Sequence, residues 1–184
     1  MPIEALPLRI EACDPTRHDR SQFVCGVPRL DNFLKLSARK QQTADMTRVY
    51  VAVEEAKPEI LGYHAINLGM MRVDELAQRP RGAPDHGDLP VLFVGQVAVT
   101  RSSQGQMIGS ILMHHALEKA HQVSMKAGCF AVVLDVMSDG GEAAFIRRRD
   151  WYAGFGFQAF SSTPSRLFMT MKQVRQLVTV RTEG

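Results

Sequence analysis

The pattern of apolar and polar positions over the first third of the chain predicts a strand, a helix and a pair of strands. Apolar residues alternate with polar ones around Leu8 and Ile10, which is the period of a strand with one buried face. Over 28–40 the apolar residues follow helical spacing instead. Two β-branched and aromatic runs, 48–53 and 60–67, flank a short charged segment and therefore predict a hairpin.

The rest of the chain alternates between apolar strands and helices. Residues 72–90 contain glycines, prolines and charges that interrupt both periods, which predicts a surface loop. The elements predicted after this loop are a buried strand, a helix, a strand, a helix and a last strand, over 91–99, 106–127, 131–136, 142–153 and 166–171. This order predicts an α/β or α+β fold in which helices pack on a central sheet.

Composition adds the expectation of one globular domain over 1–184. The 184 residues are 45% apolar and 22% charged, and their net charge of +3 does not by itself indicate a nucleic-acid-binding protein. No apolar run reaches the roughly 18 residues of a membrane helix, and the start lacks signal-peptide blocks. A cytoplasmic protein without membrane contact is the prediction. The three cysteines have no Cys-x-x-Cys spacing, which predicts reduced thiols.

The segment Gln104–Gly109 is the strongest candidate for a binding site. It joins a buried strand to a helix through a glycine-containing turn, and such a turn directs free backbone N–H groups and a positive helix dipole at one point. This arrangement suits a phosphate group. The alternative is that Gly105 and Gly109 only allow a turn and a close helix contact.

The same segment resembles the phosphate loop of the GCN5-related acetyltransferases, which reads Arg/Gln-x-x-Gly-x-Gly/Ala between the fourth strand and third helix. Met107 stands where the first glycine of that motif is usual. The resemblance implies the GNAT fold, a central mixed and mostly antiparallel sheet flanked by helices, with acetyl-CoA as co-substrate and no metal. It assigns cofactor binding to Val97, Ala98, Val99, Gln104, Gly105, Gln106, Met107, Ile108, Gly109 and Ser110.

A second match is the aromatic segment 151–157, which resembles the Phe-Tyr-x-x-Phe-Gly-Phe stretch of this family. In the family the tyrosine protonates the departing CoA thiolate, and Tyr152 occupies its position. The chemistry is sensible because a phenol has a pKa near 10, comparable with the basicity of a thiolate. The alternative is a core aromatic that packs beside Trp151 and Phe155. No Asp or Glu is an obvious general base.

A third match lies at 23–34, which resembles the Phe-Asp-Cys-Gly-x-x-x-Leu-Asp-x-Phe-Leu opening of a toxin branch of the family, with Val24 in place of the usual acid. The likeness spans roughly Leu8 to Met171. The branch implies acetylation of the α-amino group of aminoacyl-tRNA, inhibition by a ribbon-helix-helix antitoxin, and a homodimer. Alternatives are a small-molecule amine or a protein N-terminus as acceptor, or a non-catalytic CoA-binding module.

Three further features carry weaker expectations. His114 and His115 are neighbours about 100° apart on a helix, so they are not placed to share a metal. Cys25 and Cys129 have no evident base beside them. The run 147–149 consists of three arginines that either contact RNA phosphates or form a solvated helix face.

Overall fold

The computed structural model describes residues 7–180. Over this range the chain forms seven strands and five α-helices. The strands are β1 Leu8–Ala12, β2 Arg48–Glu54, β3 Ile60–Arg72, β4 Asp88–Val99, β5 Ala131–Asp135, β6 Gln158–Ala159 and β7 Arg166–Thr170. The helices are α1 Pro28–Asn32, α2 Ala38–Thr43, α3 Ile108–Ser124, α4 Glu142–Ala153 and α5 Met171–Val180.

The strands form one sheet in the order β1-β2-β3-β4-β5-β7-β6. The pairs β1–β2, β2–β3, β5–β7 and β6–β7 are antiparallel, whereas β4 and β5 are parallel. The parallel ladder joins only Val91–Phe93 to Ala131–Val133. The predicted mixed, mostly antiparallel sheet with helices is therefore confirmed.

The chain divides into two compact units, and a single domain over 1–184 stays a prediction. The first unit contains the residues up to Asn67 together with Gly95–Ala116. Part of its core is the buried cluster Ala52, Ile108 and Leu112, which β1, β3 and β4 border with half-buried aliphatic side chains. Burial of these apolar groups drives the packing of α3 on the strands.

The second unit contains Leu68–Val94 and the residues from Leu117 onward. Its core includes a cluster of buried apolar residues from β3, the turn after β3, β4, β5 and the segment after β6, namely Met71, Val73, Leu89, Val91, Ala131, Val133 and Phe160. Across β5 and β7, Arg166 donates to both carboxylate oxygens of Asp135, at 2.8 and 3.1 Å. This bidentate pair fixes the register of two neighbouring strands.

The opening segment 23–34 is structural throughout. Phe23 and Phe33 contact the ring of the fully buried Tyr63, with centroid distances of 5.4 and 5.9 Å. The Tyr63 hydroxyl donates to the Leu30 carbonyl at 2.8 Å. The Asp31 carboxylate accepts the backbone N–H of Cys25 at 2.8 Å. These contacts fasten α1 to β3 and to the turn before α1.

The predicted element types are confirmed, but several bounds were wrong. The first helix continues from α1 through a π-helical turn, Phe33–Ser37, into α2, so it ends at Thr43 rather than at 40. The loop predicted over 72–90 is shorter, because β4 already begins at Asp88. The helix predicted over 106–127 is α3, which begins at Ile108 because Met107 has a left-handed backbone, with φ +61°.

The sequence reading also missed α5, although the residues before it carry a start signal. Gln173 accepts from both the backbone N–H and the hydroxyl of Thr170, at 3.0 and 2.7 Å. In return the Gln173 N–H faces the Thr170 hydroxyl oxygen at 3.5 Å. This is a capping box, and its Thr-x-x-Gln spacing is visible in the sequence.

Candidate active site

The turn between β4 and α3 has the backbone of an anion-binding loop. After Val99 the chain makes one 3₁₀ turn, Arg101–Ser103, and then becomes extended at Gln104. Gly105 and Met107 both have positive φ, at +79° and +61°, and α3 begins directly afterwards. The first N–H groups of a helix have no partner inside the helix, so they are available to an anion at this end.

Met107 adopts the conformation for which glycine is usually selected. Its φ of +61° is one of only three positive values among non-glycine residues over 7–180, and its side chain is 73% exposed. Its carbonyl accepts the N–H of Ile111 at 3.1 Å, as the residue that caps a helix start does. The family motif has glycine here because the backbone is left-handed, and this chain keeps the backbone without the glycine.

The turn fits a pyrophosphate group. A Cβ built on Gly105 would have no heavy atom within 4 Å, so the space beside this residue is open. Gln104, Gln106 and Met107 are exposed, whereas Ile108 is buried and attaches α3 to the sheet. The residues present are therefore compatible with the diphosphate of acetyl-CoA at the N-terminus of α3.

The Gln104 side chain anchors the turn rather than pointing away from it. Its amide nitrogen donates to the Cys25 carbonyl at 2.9 Å and to the Val99 carbonyl at 3.0 Å. Its predicted role in cofactor binding stays a prediction. The two hydrogen bonds tie the turn to the segment before α1 and to the end of β4.

Arg101 is a second anchor, which the sequence reading missed. Its backbone N–H donates to the Val24 carbonyl at 2.8 Å. Its guanidinium lies over Gly26, where an added Cβ would come within 2.9 Å of Nε. Gly26 has a φ of +99°, a conformation that favours glycine, whereas the flexible end of the Arg101 side chain could move away from an added Cβ. The Cys-Gly pair of the opening segment is therefore in contact with the candidate phosphate loop.

Val97–Val99, the segment of β4 that is predicted to bind the cofactor, is held in place by the packing of its own side chains. Ala98 is buried, and Val97 and Val99 are half-buried against the cluster that contains Ile108 and Leu112. All three residues lie beyond Phe93, the last β4 residue in the ladder with β5. Their use of main-chain groups to bind the pantetheine arm stays a prediction.

Tyr152 lies near the end of α4, in the second unit. Its ring makes edge-on contacts with Trp151 and Phe157, at centroid distances of 4.9 and 6.1 Å. Burial raises the pKa of Tyr152 to about 12, although the positive charge of Arg148 opposes this rise. The phenol is therefore protonated at neutral pH and can act as a proton donor.

The three arginines of the run 147–149 differ in their contacts. Arg148 donates to the carbonyls of Met137 and Asp139 and so fastens the loop between β5 and α4. Arg149 is paired with Asp150, and Arg147 is exposed. Only part of the run is therefore directed to solvent, and contact with RNA stays a prediction.

A histidine pair was also missed by the sequence reading. His64 Nε2 and His115 Nδ1 are 2.8 Å apart, and the Tyr50 ring is stacked on His64 with a centroid distance of 5.1 Å. His64 is fully buried. No pattern in the sequence indicated that His115 has a partner fifty-one positions earlier.

Cys13 and Cys25 are buried thiols with raised pKa values. Burial raises the pKa of both Cys13 and Cys25 to about 11, which disfavours their thiolates at neutral pH. Over 7–180 no cluster of three or more His, Cys, Asp or Glu side chains is arranged to hold a metal. Within the same residues no helix is both long and apolar enough to cross a membrane.

A mostly antiparallel sheet flanked by helices, with a left-handed turn at the N-terminus of α3 that suits an anion, defines an α/β protein compatible with a ligand such as CoA. The sequence model of the Acetyltransferase (GNAT) family matches residues 17–157. The chain belongs to this family. It is an acetyl-CoA-dependent N-acetyltransferase, and acetyl-CoA is its co-substrate.

Two relatives match over nearly the full length. "Probable toxin TacT" of Sinorhizobium fredii is 34% identical over 170 residues, which covers 92% of this chain and 94% of the relative. The "tRNA-acetylating toxin" of Mycobacterium tuberculosis is 27% identical over 173 residues, covering 94% and 95%.

Solved structures of the AtaT toxin share the fold. AtaT complexed with acetyl-methionyl-tRNAfMet has a TM-score of 0.81 at 22% identity and covers 92% of this chain and 98% of AtaT. A mutant AtaT bound to the C-terminus of the antitoxin AtaR and acetyl-CoA has a TM-score of 0.77 at 22% identity, covering 94% and 99%.

Proposed function

We propose that this protein transfers the acetyl group of acetyl-CoA to the α-amino group of aminoacyl-tRNA and thereby acts as the toxin of a toxin–antitoxin pair. The observation that carries the catalytic part is the left-handed turn of Gly105 and Met107 before α3, in the register of the family's phosphate loop. The acceptor is inferred from the likeness to a tRNA-acetylating toxin and to AtaT, whose structure was solved with acetyl-methionyl-tRNAfMet.

The first unit would hold the co-substrate. The N–H groups from Gly105 to Ser110 would bind the pyrophosphate, and Val97–Val99 would hold the pantetheine arm. Bound acetyl-CoA supplies an acetyl group that is activated as a thioester. Gln104 and Arg101 contribute by keeping the turn in shape, since both tie it to the segment before α1.

Tyr152 would supply the proton that the reaction needs. The acceptor amine loses a proton to water, forms the new C–N bond, and displaces the thiolate as the C–S bond breaks. The Tyr152 hydroxyl gives its proton to that sulfur and recovers one from solvent. A pKa raised to about 12 keeps this hydroxyl protonated at neutral pH, so its proton is present when the thiolate leaves.

The partners proposed are acetyl-CoA, aminoacyl-tRNA, a second copy of the chain and an antitoxin. We assign the antitoxin a ribbon-helix-helix DNA-binding segment because of the likeness to the toxin branch. Binding of AtaT to the C-terminus of its antitoxin supports the existence of such a partner. Light scattering of the purified chain would measure the homodimer directly.

Acetylation is tested by incubating the protein with radiolabelled acetyl-CoA and total charged tRNA. We expect the RNA fraction to become labelled. Mild base should release this label as N-acetyl amino acid, because base cleaves the aminoacyl ester but not the new amide. Deacylated tRNA is the matched control and should stay unlabelled. Label that enters spermidine or a peptide N-terminus instead of charged tRNA would replace this acceptor with one of the alternatives.

A further inference from the structure

Trp151 presents part of its indole ring to solvent, where a flat ring can stack on it. It is 36% exposed, and it is the only aromatic residue among the exposed large apolar residues of the described chain. Phe155 and Tyr152 hold its ring by edge-on contacts, with centroid distances of 5.0 and 4.9 Å. The ring is therefore fixed in orientation while more than a third of the residue faces solvent.

Arg147 lies one helical turn before Trp151, and residues four apart in a helix share a face. It is exposed, and over residues 7–180 it has no ion pair. A fixed indole ring beside a guanidinium suits a nucleobase with a neighbouring phosphate, because the base stacks on the ring and the phosphate accepts from the arginine.

We propose that Trp151 and Arg147 bind the 3′-terminal nucleotide of the aminoacyl-tRNA, with the base on Trp151. This inference rests on the proposed function, since the amino acid that is acetylated is esterified to that nucleotide. The ring contact between Trp151 and Tyr152 places the stacking surface beside the proposed proton donor. The adenine of acetyl-CoA is less suitable as the base stacked on Trp151. It lies on the far side of the pyrophosphate from the thioester, whereas Trp151 lies beside the proposed proton donor.

Trp151 is the single tryptophan of the chain, so its fluorescence reports this site alone. The probes are an acceptor-stem RNA minihelix with an intact single-stranded 3′ end and the same minihelix without its last nucleotide. We expect the intact RNA to quench the emission and the shortened RNA not to do so. Equal quenching by both RNAs overturns the proposal. Quenching by acetyl-CoA but not by acetyl-pantetheine also overturns it, since the base would then be the co-substrate's adenine.

Kinetics provide the second test. Trp151→Ala should raise the KM for aminoacyl-tRNA by about 5- to 150-fold, the range expected when one base–aromatic stack is lost. Acetyl-CoA affinity should stay within about twofold, and Trp151→Phe should recover much of the loss. Ile146→Ala is the matched control, because Ile146 is 37% exposed on the same helix. An unchanged KM in a folded Trp151→Ala variant, or an equal rise in Ile146→Ala, contradicts the proposal.

These readouts separate the stacking site from the function on which it rests. The fluorescence titration needs no turnover, so quenching by intact RNA without acetylation refutes the acetylation proposal and leaves the site. Acetylation of aminoacyl-tRNA without quenching refutes the site and leaves the function. Should Trp151→Ala fail to fold, as judged by circular dichroism, the wild-type titration still decides.

Discussion

Replacement of Met107 by glycine should maintain or increase both stability and co-substrate affinity. A left-handed backbone costs a residue with a Cβ roughly 1–2 kcal/mol, and glycine removes that cost. Against this, glycine increases the conformational entropy of the unfolded chain by roughly 0.5–1 kcal/mol. The side chain is 73% exposed, so its removal sacrifices little buried apolar area. The free energy of unfolding should therefore rise by up to about 1.5 kcal/mol or stay unchanged.

Two control variants separate this effect from a general response to substitution. Met125 is 72% exposed just beyond the end of α3, and its φ is not positive. Met125→Gly should therefore only lose stability, because no strain is relieved. Met107→Val should lose more than glycine gains, since a β-branched side chain tolerates positive φ poorly.

The assays are chemical denaturation for stability and titration calorimetry with acetyl-CoA for affinity. Removal of the side chain leaves the N–H of residue 107 in place and opens the approach to the turn, so affinity should stay the same or tighten. A loss of more than about 1 kcal/mol in stability would indicate that residue 107 is helical in solution. A tenfold weaker affinity would mean that the methionine side chain itself contacts acetyl-CoA.

Four further outcomes are expected. Gly109→Glu should abolish acetyl-CoA binding in calorimetry, because the added carboxylate displaces the pyrophosphate. The protein should stay folded, because an acid in the first turn of a helix suits the helix dipole. Gly109→Ala is the milder control. Tyr152→Phe should lower kcat by roughly 10²- to 10⁴-fold with unchanged acetyl-CoA affinity, and wild-type turnover would remove Tyr152 from the mechanism. Because the pKa of Tyr152 is raised to about 12, a pH–rate profile should show no alkaline loss of this proton donor up to about pH 9, and a Tyr152-dependent fall below that pH would contradict the proposed donor. Gln104→Leu should lower stability by about 1–2 kcal/mol and weaken acetyl-CoA binding, whereas lost binding at unchanged stability would indicate direct contact of the amide with acetyl-CoA.

Much of the fold could be predicted because its elements have strong local patterns. The pattern after the glycine pair at 140–141 predicts a helix over 142–153, and these are the bounds of α4, Glu142–Ala153. The alternation around Leu8 and the apolar run before Val99 gave β1 and the end of β4. The candidate phosphate loop could also be predicted from a local pattern, because the backbone N–H groups that would bind the phosphate belong to consecutive residues.

The contacts that support the site could not be predicted, since they join residues far apart in the chain. Gln104 meets Cys25 across 79 positions, and His64 meets His115 across 51. The π-helical turn after Asn32 has no local marker either, because Phe33 and Leu34 keep the helical spacing that predicts an ordinary helix there. Tertiary contacts override local preference at such positions.

The two departures from the family pattern, Val24 and Met107, fall where the backbone rather than the side chain makes the contact. The Val24 carbonyl accepts the N–H of Arg101 at 2.8 Å and the hydroxyl of Thr100 at 3.3 Å, while the Val24 side chain is 42% exposed. The Met107 carbonyl caps α3, and its side chain is likewise exposed. Any residue can supply these backbone groups, so the fold tolerates both departures. Gly26, by contrast, has a φ of +99°, so a residue with a side chain would be strained at this position.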